Sequence, residues 1–244
     1  MFIAIEARAK APLVPFRIFR SRTLTGSNIV GLLLGASLFS MFFFATLYMQ
    51  QVLGYSPIKT GLSYVPLTFG IMSSAAIGST IASRIGFKPV LIGGMALTSV
   101  ALLWWSRISP DGSYVSDVLG PSVVAALGLG FSFVPVTIGA VAGVAERESG
   151  LASGLINTCQ QVGGALGLAI LATVANSVSD DAVGAAQAAG DSTAVAVALN
   201  DGFQNAFLVG AGFAVVGLVL SIVLIKSSDS RAMVERPAGA DVAA

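Results

Sequence analysis

Six stretches of this chain contain no Asp, Glu, Lys, Arg or His, and each is long enough to cross a membrane. They hold 36, 24, 18, 28, 31 and 24 residues, in the windows 23–58, 60–83, 89–106, 118–145, 149–179 and 202–225. A helix rises about 1.5 Å per residue and needs roughly 20 apolar residues to cross a hydrocarbon core of about 30 Å. Placing a charge at mid-bilayer costs roughly 2.5–3.5 kcal/mol, which explains why these windows contain no charged side chain. The pattern predicts an all-α membrane protein with six transmembrane helices.

Composition favours the same fold class. Hydrophobic residues make up 55% of the chain, charged residues 10%, and the mean hydropathy is +0.86. The alternative, a soluble all-helical protein with a very apolar core, is disfavoured because soluble helices carry one polar face and these windows carry none. The chain has one cysteine and no histidine, which excludes an internal disulfide, His-based acid–base chemistry and most transition-metal sites. It carries no Walker, HExxH or GxSxG motif, so we expect neither an enzyme nor a cofactor.

The windows and the turn signals predict three segments. Residues 1–24 form a basic interfacial segment on the cytoplasmic side, residues 25–226 a six-helix bundle, and residues 227–244 a disordered cytoplasmic tail. Residues 180–200, rich in Ala and Gly, are interpreted as a mobile external loop. The helices are predicted at 27–52, 60–83, 89–106, 116–144, 150–177 and 202–225. Pro66 and Pro135 fall inside the second and fourth helices and are expected to kink them.

The positive charges lie almost entirely on one side of the predicted topology. With six crossings, eleven of the thirteen Lys and Arg residues lie on the same side of the membrane as the two termini. Only Lys59 and Arg107 lie on the other side. The positive-inside rule then places both termini in the cytoplasm. We expect a multi-pass protein of the plasma membrane. The net charge of +1 gives no reason to expect a nucleic-acid partner, whereas the basic stretch 16–22 is expected to contact anionic membrane lipids.

The densest polar cluster within a window lies on the fifth predicted helix. Ser153, Asn157 and Gln161 form one stripe at a spacing of four residues, with Thr158 and Gln160 beside it. Lipid cannot satisfy an amide, so this stripe must meet protein or a water-filled cavity. Both alternatives stay open: hydrogen bonds between helices, worth about 0.6 kcal/mol each, or the lining of a cavity.

Small residues four apart allow two membrane helices to approach closely. Five pairs have this spacing: Gly31/Gly35, Ser74/Gly78, Gly139/Gly143, Gly150/Gly154 and Gly163/Gly167. Together they predict tight helix contacts.

Several stretches resemble one protein family. Residues 47–57 read LYMQQVLGYSP, and residues 150–167 read GLASGLINTCQQVGGALG. Both resemble the fourteen-helix drug:proton antiporter branch (EmrB/QacA-type multidrug efflux) of the major facilitator superfamily. The resemblance runs from about residue 3 to 226 and corresponds to the last six helices, which form the C-terminal bundle of that fold.

The resemblance implies a transport function. Helices 1, 2, 4 and 5 would face a central cavity, with Asn157, Gln161, Ser153 and Gln50 contacting a hydrophobic small-molecule substrate. Phe39, Phe43 and Met41 would add apolar contact. The partner would be an N-terminal bundle, which supplies proton coupling, or a second copy of the chain. The chain is thus expected to be the C-terminal half of a drug efflux transporter, truncated and inactive alone. A non-transporting membrane scaffold or regulatory subunit that binds a full transporter is the alternative.

The same resemblance assigns a gating loop to the turn between the second and third helices. Arg84, Gly86 and Lys88 match the second copy of the family's cytoplasmic loop motif. Ser83 stands where that motif has an Asp, so this position carries no charge for a charge-linked gate.

Overall fold

The computed structural model describes residues 15–142 and 144–235, and within these ranges the chain is almost entirely helical, without a strand. The longer helices are α1 (Arg22–Leu47, extended by a π-helical turn Tyr48–Val52), α2 (Pro57–Ser63), α3 (Val65–Ile85), α4 (Phe87–Trp105), α5 (Gly120–Val141, preceded by a π-helical turn Tyr114–Leu119), α6 (Ser149–Ala188), α7 (Ser192–Leu224) and α8 (Ser227–Glu235). Short 3-10 helices lie at Phe16–Arg20 and Glu146–Glu148.

Within residues 15–142 and 144–235, six helical segments are long and apolar enough to cross a membrane, which confirms the predicted fold class. They are Arg22–Val52, Pro57–Ile85, Phe87–Trp105, Tyr114–Val141, Glu146–Ala188 and Ser192–Leu224. Each contains the greater part of one uncharged window. The windows therefore identified the number and order of the spans.

Four helices form the centre of the bundle, and two pack at its sides. α1 packs against α5 and α7, and α4 packs against the same two helices, which closes a ring of four. α3 packs mainly on α5, whereas α6 packs on α1 and α7. The core is apolar and includes Phe44, Trp105 and Phe207, with the Trp105 and Phe207 rings stacked at 5.7 Å between centroids. α3 and α6 consequently keep large exposed faces.

The spans alternate in direction. Tyr64, before α3, donates its hydroxyl to the carbonyl oxygen of Phe42 in α1 (3.0 Å), while Gly86, at the other end of α3, lies against Ser230 of α8. We call the end that holds the α3–α4 junction, the α5–α6 connection and α8 the basic end. The end that holds the connections after α1, α4 and α6 is called the acidic end.

The prediction of a mobile loop at 180–200 was wrong. α6 continues to Ala188 and α7 begins at Ser192, so only residues 189–191 connect them. Gly190 makes the turn at φ +68°, and the side chain of Asp191 caps α7 by accepting the N–H groups of Thr193 and Ala194 at 3.0 Å. Alanine is the best helix former, so a small, Ala-rich sequence extends two helices here although it lacks a strong apolar face.

The prediction of a disordered tail was wrong for residues 227–235, which form α8. This helix lies across the basic end, where Thr23 donates to Asp229 and the backbone N–H of Lys88 donates to the Ser230 hydroxyl at 3.0 Å. Residues 236–244 of the predicted tail and residues 1–14 of the predicted interfacial segment lie outside the described ranges. The partners of α8 are distant in sequence, so its order depends on tertiary contacts.

The second predicted helix is divided rather than kinked. α2 ends at Ser63, and Pro66 lies in the first turn of α3, where its missing N–H and fixed φ cost nothing. Pro135 does lie inside α5, where it is buried. The first span begins at Arg22, five residues earlier than the predicted 27, because the Ser21 hydroxyl accepts the N–H of Leu24 (3.3 Å) and caps it.

The small-residue pairs mark the closest helix contacts, with one exception. A side chain added at Gly31 or Gly35 of α1, or at Gly163 or Gly167 of α6, would collide with the opposite helix. Ser74, Gly78 and Gly139 lie in similar contacts around α5, and Gly143 lies outside the described ranges. The pair Gly150/Gly154 has open space around it, so the prediction of a contact there was wrong.

Candidate functional site

The predicted polar stripe lies on an exposed face of α6. Ser153, Asn157 and Gln161 are all exposed, and within the described ranges none of their side chains takes part in a hydrogen bond. Thr158, also exposed, donates its hydroxyl to the carbonyl oxygen of Gly154 in its own helix (2.8 Å). The two amides therefore present free donors and acceptors at the surface of this bundle.

The contacts between α1 and α6 give the depth of the stripe. The two helices run in parallel, with Ile156 opposite Gly31 and Gln160 opposite Gly35. At 1.5 Å per residue, Gly31 and Gly35 lie about 14 and 20 Å along α1 from Arg22. Asn157 and Gln161, one residue further on, thus lie about 15 and 21 Å from Arg22, close to the middle of a hydrocarbon core of about 30 Å.

Gln160 occupies the interface between the two helices. Its side chain is half-buried against Gly31, and its Nε2 atom is buried without an acceptor in the described part of the chain. Such an unpaired buried donor is costly unless a water molecule reaches it. The polar cluster therefore has one member inside the α1–α6 contact and four outside it.

Gln50 is not part of the same site. It is half-buried in the π-helical turn at the acidic end of α1, fifteen residues beyond Gly35, which corresponds to about 22 Å along the helix. Of the three predicted apolar contacts, Phe39 and Phe43 are exposed at 43% and 41%. Met41 is only 1% exposed and belongs to the core, so its prediction as a contact at the cavity surface was wrong.

The predicted gating loop is a tight junction held by α8. Gly86 joins α3 to α4 with φ +91° and ψ 159°, a conformation that only glycine adopts without strain. Lys88 donates from Nζ to the carbonyl oxygen of Ile222 (2.9 Å) and to the Ser227 hydroxyl (3.3 Å). Arg84 is exposed at the end of α3.

A polar network at the acidic end was missed by sequence reasoning. Tyr48 is 1% exposed and donates its hydroxyl to the carbonyl oxygen of Ser109 (2.8 Å) and to Oδ2 of Asp117 (3.3 Å). Asn200 and Gln204 of α7 both donate to the carbonyl oxygen of Ile108, at 3.2 and 2.6 Å. These bonds join α1, α5 and α7 to the connection after α4. The only sequence signal was that Asp117 borders an uncharged window.

The described residues offer hydrogen bonds and apolar contact rather than bond-making chemistry. In residues 15–142 and 144–235, no three His, Cys, Asp or Glu side chains are grouped so that they could hold a metal ion. Cys159 is half-buried on α6. The arrangement can bind a ligand through hydrogen bonds and apolar contact.

Comparison with known proteins identifies the family of this bundle. Residues 3–168 match the profile of the Major Facilitator Superfamily. The chain is 37% identical over 182 residues to the cephamycin export protein CmcT of Amycolatopsis lactamdurans, covering 72% of this chain and 37% of that protein. It is 34% identical over 226 residues to the puromycin resistance protein pur8 of Streptomyces alboniger, covering 91% of this chain and 44% of that protein.

The chain thus spans less than half the length of these relatives. The chain is also 28% identical over 180 residues to the multidrug transporter protein MdtP of Bacillus subtilis. The profile covers more than half of the chain, and the six spans agree with a bundle of this type. The chain is therefore a member of the major facilitator superfamily.

Proposed function

We propose that this six-helix bundle is the C-terminal half of a fourteen-helix, EmrB/QacA-type transporter that exports hydrophobic compounds. The observation that carries the proposal is the pair of exposed amides, Asn157 and Gln161, near the middle of the membrane. Free amides cannot face hydrocarbon, so a second protein surface must cover them or enclose water over them. A substrate cavity between two bundles meets this requirement.

The second wall has to come from outside this bundle. Alternating access rocks two bundles about a site near the midplane, and a single bundle has no opposing surface. The exposed faces of α3 and α6 support such a partner, since both helices bury only one side here. The partner we propose is an N-terminal bundle; a second copy of this chain is the other way to close the cavity.

The substrate class follows from the site and from the relatives. Asn157 and Gln161 would exchange hydrogen bonds with polar groups of an amphipathic compound, with Ser153 at the edge. Phe39 and Phe43 would contact its apolar part. Relatives named for cephamycin export and for puromycin and lincomycin resistance support a drug-like substrate. Gln50 lies too far along α1 to contact the same small molecule.

The orientation we propose places the basic end in the cytoplasm and the protein in the plasma membrane. Arg8, Lys10 and Arg236 lie outside the described ranges, which leaves ten of the thirteen Lys and Arg residues. Eight of these ten lie at the basic end, including those in the 3-10 helices Phe16–Arg20 and Glu146–Glu148. The positive-inside rule supports the assignment. Arg84, Gly86 and Lys88 would then form a cytoplasmic loop whose movement depends on α8.

Proton coupling would be supplied by the partner bundle. The six uncharged windows contain no carboxylate, and proton transfer across a membrane requires a titratable group within it. We therefore expect the chain alone to bind substrate weakly and to move none of it.

A complementation experiment tests the proposal. The chain is co-expressed with the part of the puromycin resistance protein that the match leaves uncovered, and puromycin uptake is measured in inside-out vesicles with a proton gradient. Asn157→Leu combined with Gln161→Leu should weaken puromycin binding roughly thirtyfold, because two lost hydrogen bonds of about 1 kcal/mol each cost about 2 kcal/mol together. Thr158→Val is the matched control, since the Thr158 hydroxyl is already bonded within α6 and should not contact substrate.

Two results would contradict the proposal. Equal affinity in the double variant and the control would mean that the amides do not contact substrate. Association with the partner without any puromycin uptake would favour the alternative of a scaffold or regulatory subunit.

A further inference from the structure

Three basic side chains from different parts of the chain meet at the end of α7. Lys88, in the first turn of α4, donates from Nζ to the carbonyl oxygen of Ile222 (2.9 Å). Arg22, the first residue of α1, donates to the carbonyl oxygen of Val223 (3.3 Å). Because the two carbonyl groups belong to successive residues of α7, the two cations lie at one level of the bundle, on neighbouring sides of that helix. Lys226, just after the end of α7, is exposed at its tip.

These side chains keep donors that no group in the described part of the chain accepts. Lys88 uses two of its three N–H donors, the second on the Ser227 hydroxyl (3.3 Å), and Arg22 uses one of its five. Within residues 15–142 and 144–235, the Lys226 side chain donates no hydrogen bond, and none of the three cations forms an ion pair. The cluster can therefore donate to a further acceptor.

The carboxylate beside this cluster, Asp229, does not cancel its charge. It accepts the hydroxyl of Thr23 and lines a mostly apolar cavity beside the end of α5. It lies about 200° around α8 from Ser227, so it faces away from the contact made by the lysine of α4. Three cations thus meet one carboxylate and a helix C-terminus worth about half a negative charge, which leaves about one and a half positive charges. Arg231, exposed on α8, is left out of this balance because Glu235 follows it by one turn.

Next to the cluster, α7 presents an apolar face to the outside of the bundle. The helix lies between α4 and α1, with Gly217 against Met95 of the former and Leu33 of the latter. The opposite side carries exposed aliphatic side chains three and four residues apart: Val215, Val219 and Ile222. This face therefore ends at the residue whose carbonyl group binds Lys88.

We propose that this surface binds one anionic phospholipid, with its phosphate group at Lys88, Arg22 and Lys226 and an acyl chain along the exposed side of α7. Basic pockets between membrane helices bind anionic head groups, and ammonium and guanidinium groups form charge-assisted bonds with phosphate. The phosphate would reduce the repulsion among the three cations, and the acyl chain would cover aliphatic surface. A zwitterionic lipid brings no net charge to complement the cluster.

This site differs from the lipid contact expected for residues 16–22. It shares only Arg22 with that stretch, and its other members come close to Arg22 only in the tertiary structure. It uses neither the amide stripe nor the exposed faces of α3 and α6. The inference therefore goes beyond the proposed transport function and can hold or fail independently of it.

The test uses the full chain in a neutral detergent, titrated with phosphatidylglycerol, and native mass spectrometry measures the fraction of chains that carry a bound lipid. Phosphatidylcholine with the same acyl chains is the reference lipid. Each basic side chain near an anionic head group is worth about 1 kcal/mol, so the remaining positive charge should favour phosphatidylglycerol about tenfold. Equal affinity for the two lipids would overturn the proposal.

Two charge variants locate the site. Lys226→Gln removes a positive charge without removing a side-chain hydrogen bond of the described residues, and should weaken phosphatidylglycerol binding about fivefold. Arg22→Gln should weaken it at least as much, because it also removes the guanidinium fork. Arg147→Gln is the matched control: this exposed residue of the α5–α6 connection lies at the same end, and its loss should leave the affinity unchanged. An equal loss in Lys226→Gln and Arg147→Gln would mean that the lipid responds only to the total charge of the basic end, which refutes a defined site.

A competition arm separates the lipid from a soluble phosphate. Glycerol 3-phosphate carries the same acceptor group without acyl chains, and it is added in excess to the chain loaded with phosphatidylglycerol. Retention of the lipid supports the contribution of the apolar face of α7. Displacement would assign the cluster to a soluble phosphate and refute the lipid assignment.

Discussion

The contact between α1 and α6 leaves no room for a side chain at Gly35. A Cβ atom there would collide with the carbonyl oxygen of Gln160 and lie 2.9 and 3.0 Å from its carbonyl carbon and Cα. These are backbone atoms, so they cannot rotate away as a flexible side chain would. Gly35→Ala must therefore push the two helices apart along the whole contact, including the crossing of Gly163 with Leu32.

A matched variant isolates the energy of this contact. Gly154, also on a membrane helix, has nothing within 4 Å of an added Cβ. Gly→Ala at either position gives a similar gain in helix propensity, so the difference between the two variants reports the collision. Overpacking of this kind costs about 1–3 kcal/mol. We expect Gly35→Ala to unfold with a free energy about 1–3 kcal/mol below that of Gly154→Ala.

The single cysteine provides the assay. Cys159 is half-buried on α6, and a maleimide dye will react with it faster as the bundle opens in increasing sodium dodecyl sulfate. The midpoints of the two variants then give the difference in free energy of unfolding. Equal midpoints would refute the close α1–α6 contact and, with it, the depth assigned to Asn157.

Two further variants test the basic end. Gly86→Ala should destabilise the α3–α4 junction by about 1–3 kcal/mol and increase hydrogen exchange in α8, because φ is +91° and the methyl group would meet Ser230. Gly190→Ala, at φ +68° in open space, should leave exchange in α8 unchanged, and an equal increase in both would contradict the contact. Arg17→Gln removes the ion pair with Glu148; since Arg17 is 58% exposed, thermal unfolding should show a loss below about 1 kcal/mol that disappears at high salt. A larger, salt-independent loss would mean that the pair is effectively buried.

The sequence predicted the spans better than it predicted their ends. Absence of charge is read directly from the residues and depends on the membrane rather than on packing, so all six windows became helices. The segment 180–200 was misassigned because its small residues resemble a linker, although alanine extends helices readily. α8 could not be predicted, since Asp229 and Ser230 bond to Thr23 and Lys88, more than 140 residues away.

For the candidate site too, the sequence predicted some features and missed others. Spacing alone put Asn157 and Gln161 on one face of a helix, and the structure agrees that they share an exposed side. The sequence placed Gln50 at the outer end of the first helix, and the pairing of Gly35 with Gln160 separates it from the two amides by about 22 Å along α1. Met41 and the pair Gly150/Gly154 were misjudged because periodicity does not say which side of a helix meets a neighbour.

The sequence by itself determined that the chain crosses a membrane six times and where its positive charge collects. Both follow from the cost of placing charge in hydrocarbon, which each residue meets independently of the others. The tertiary structure decided which amides have no hydrogen-bond partner and which glycines are contacted by a neighbouring helix. It also decided that Asp229 lines a mostly apolar cavity at the basic end. Those features depend on how far apart packed helices lie and on contacts between residues distant in the chain, neither of which local sequence encodes.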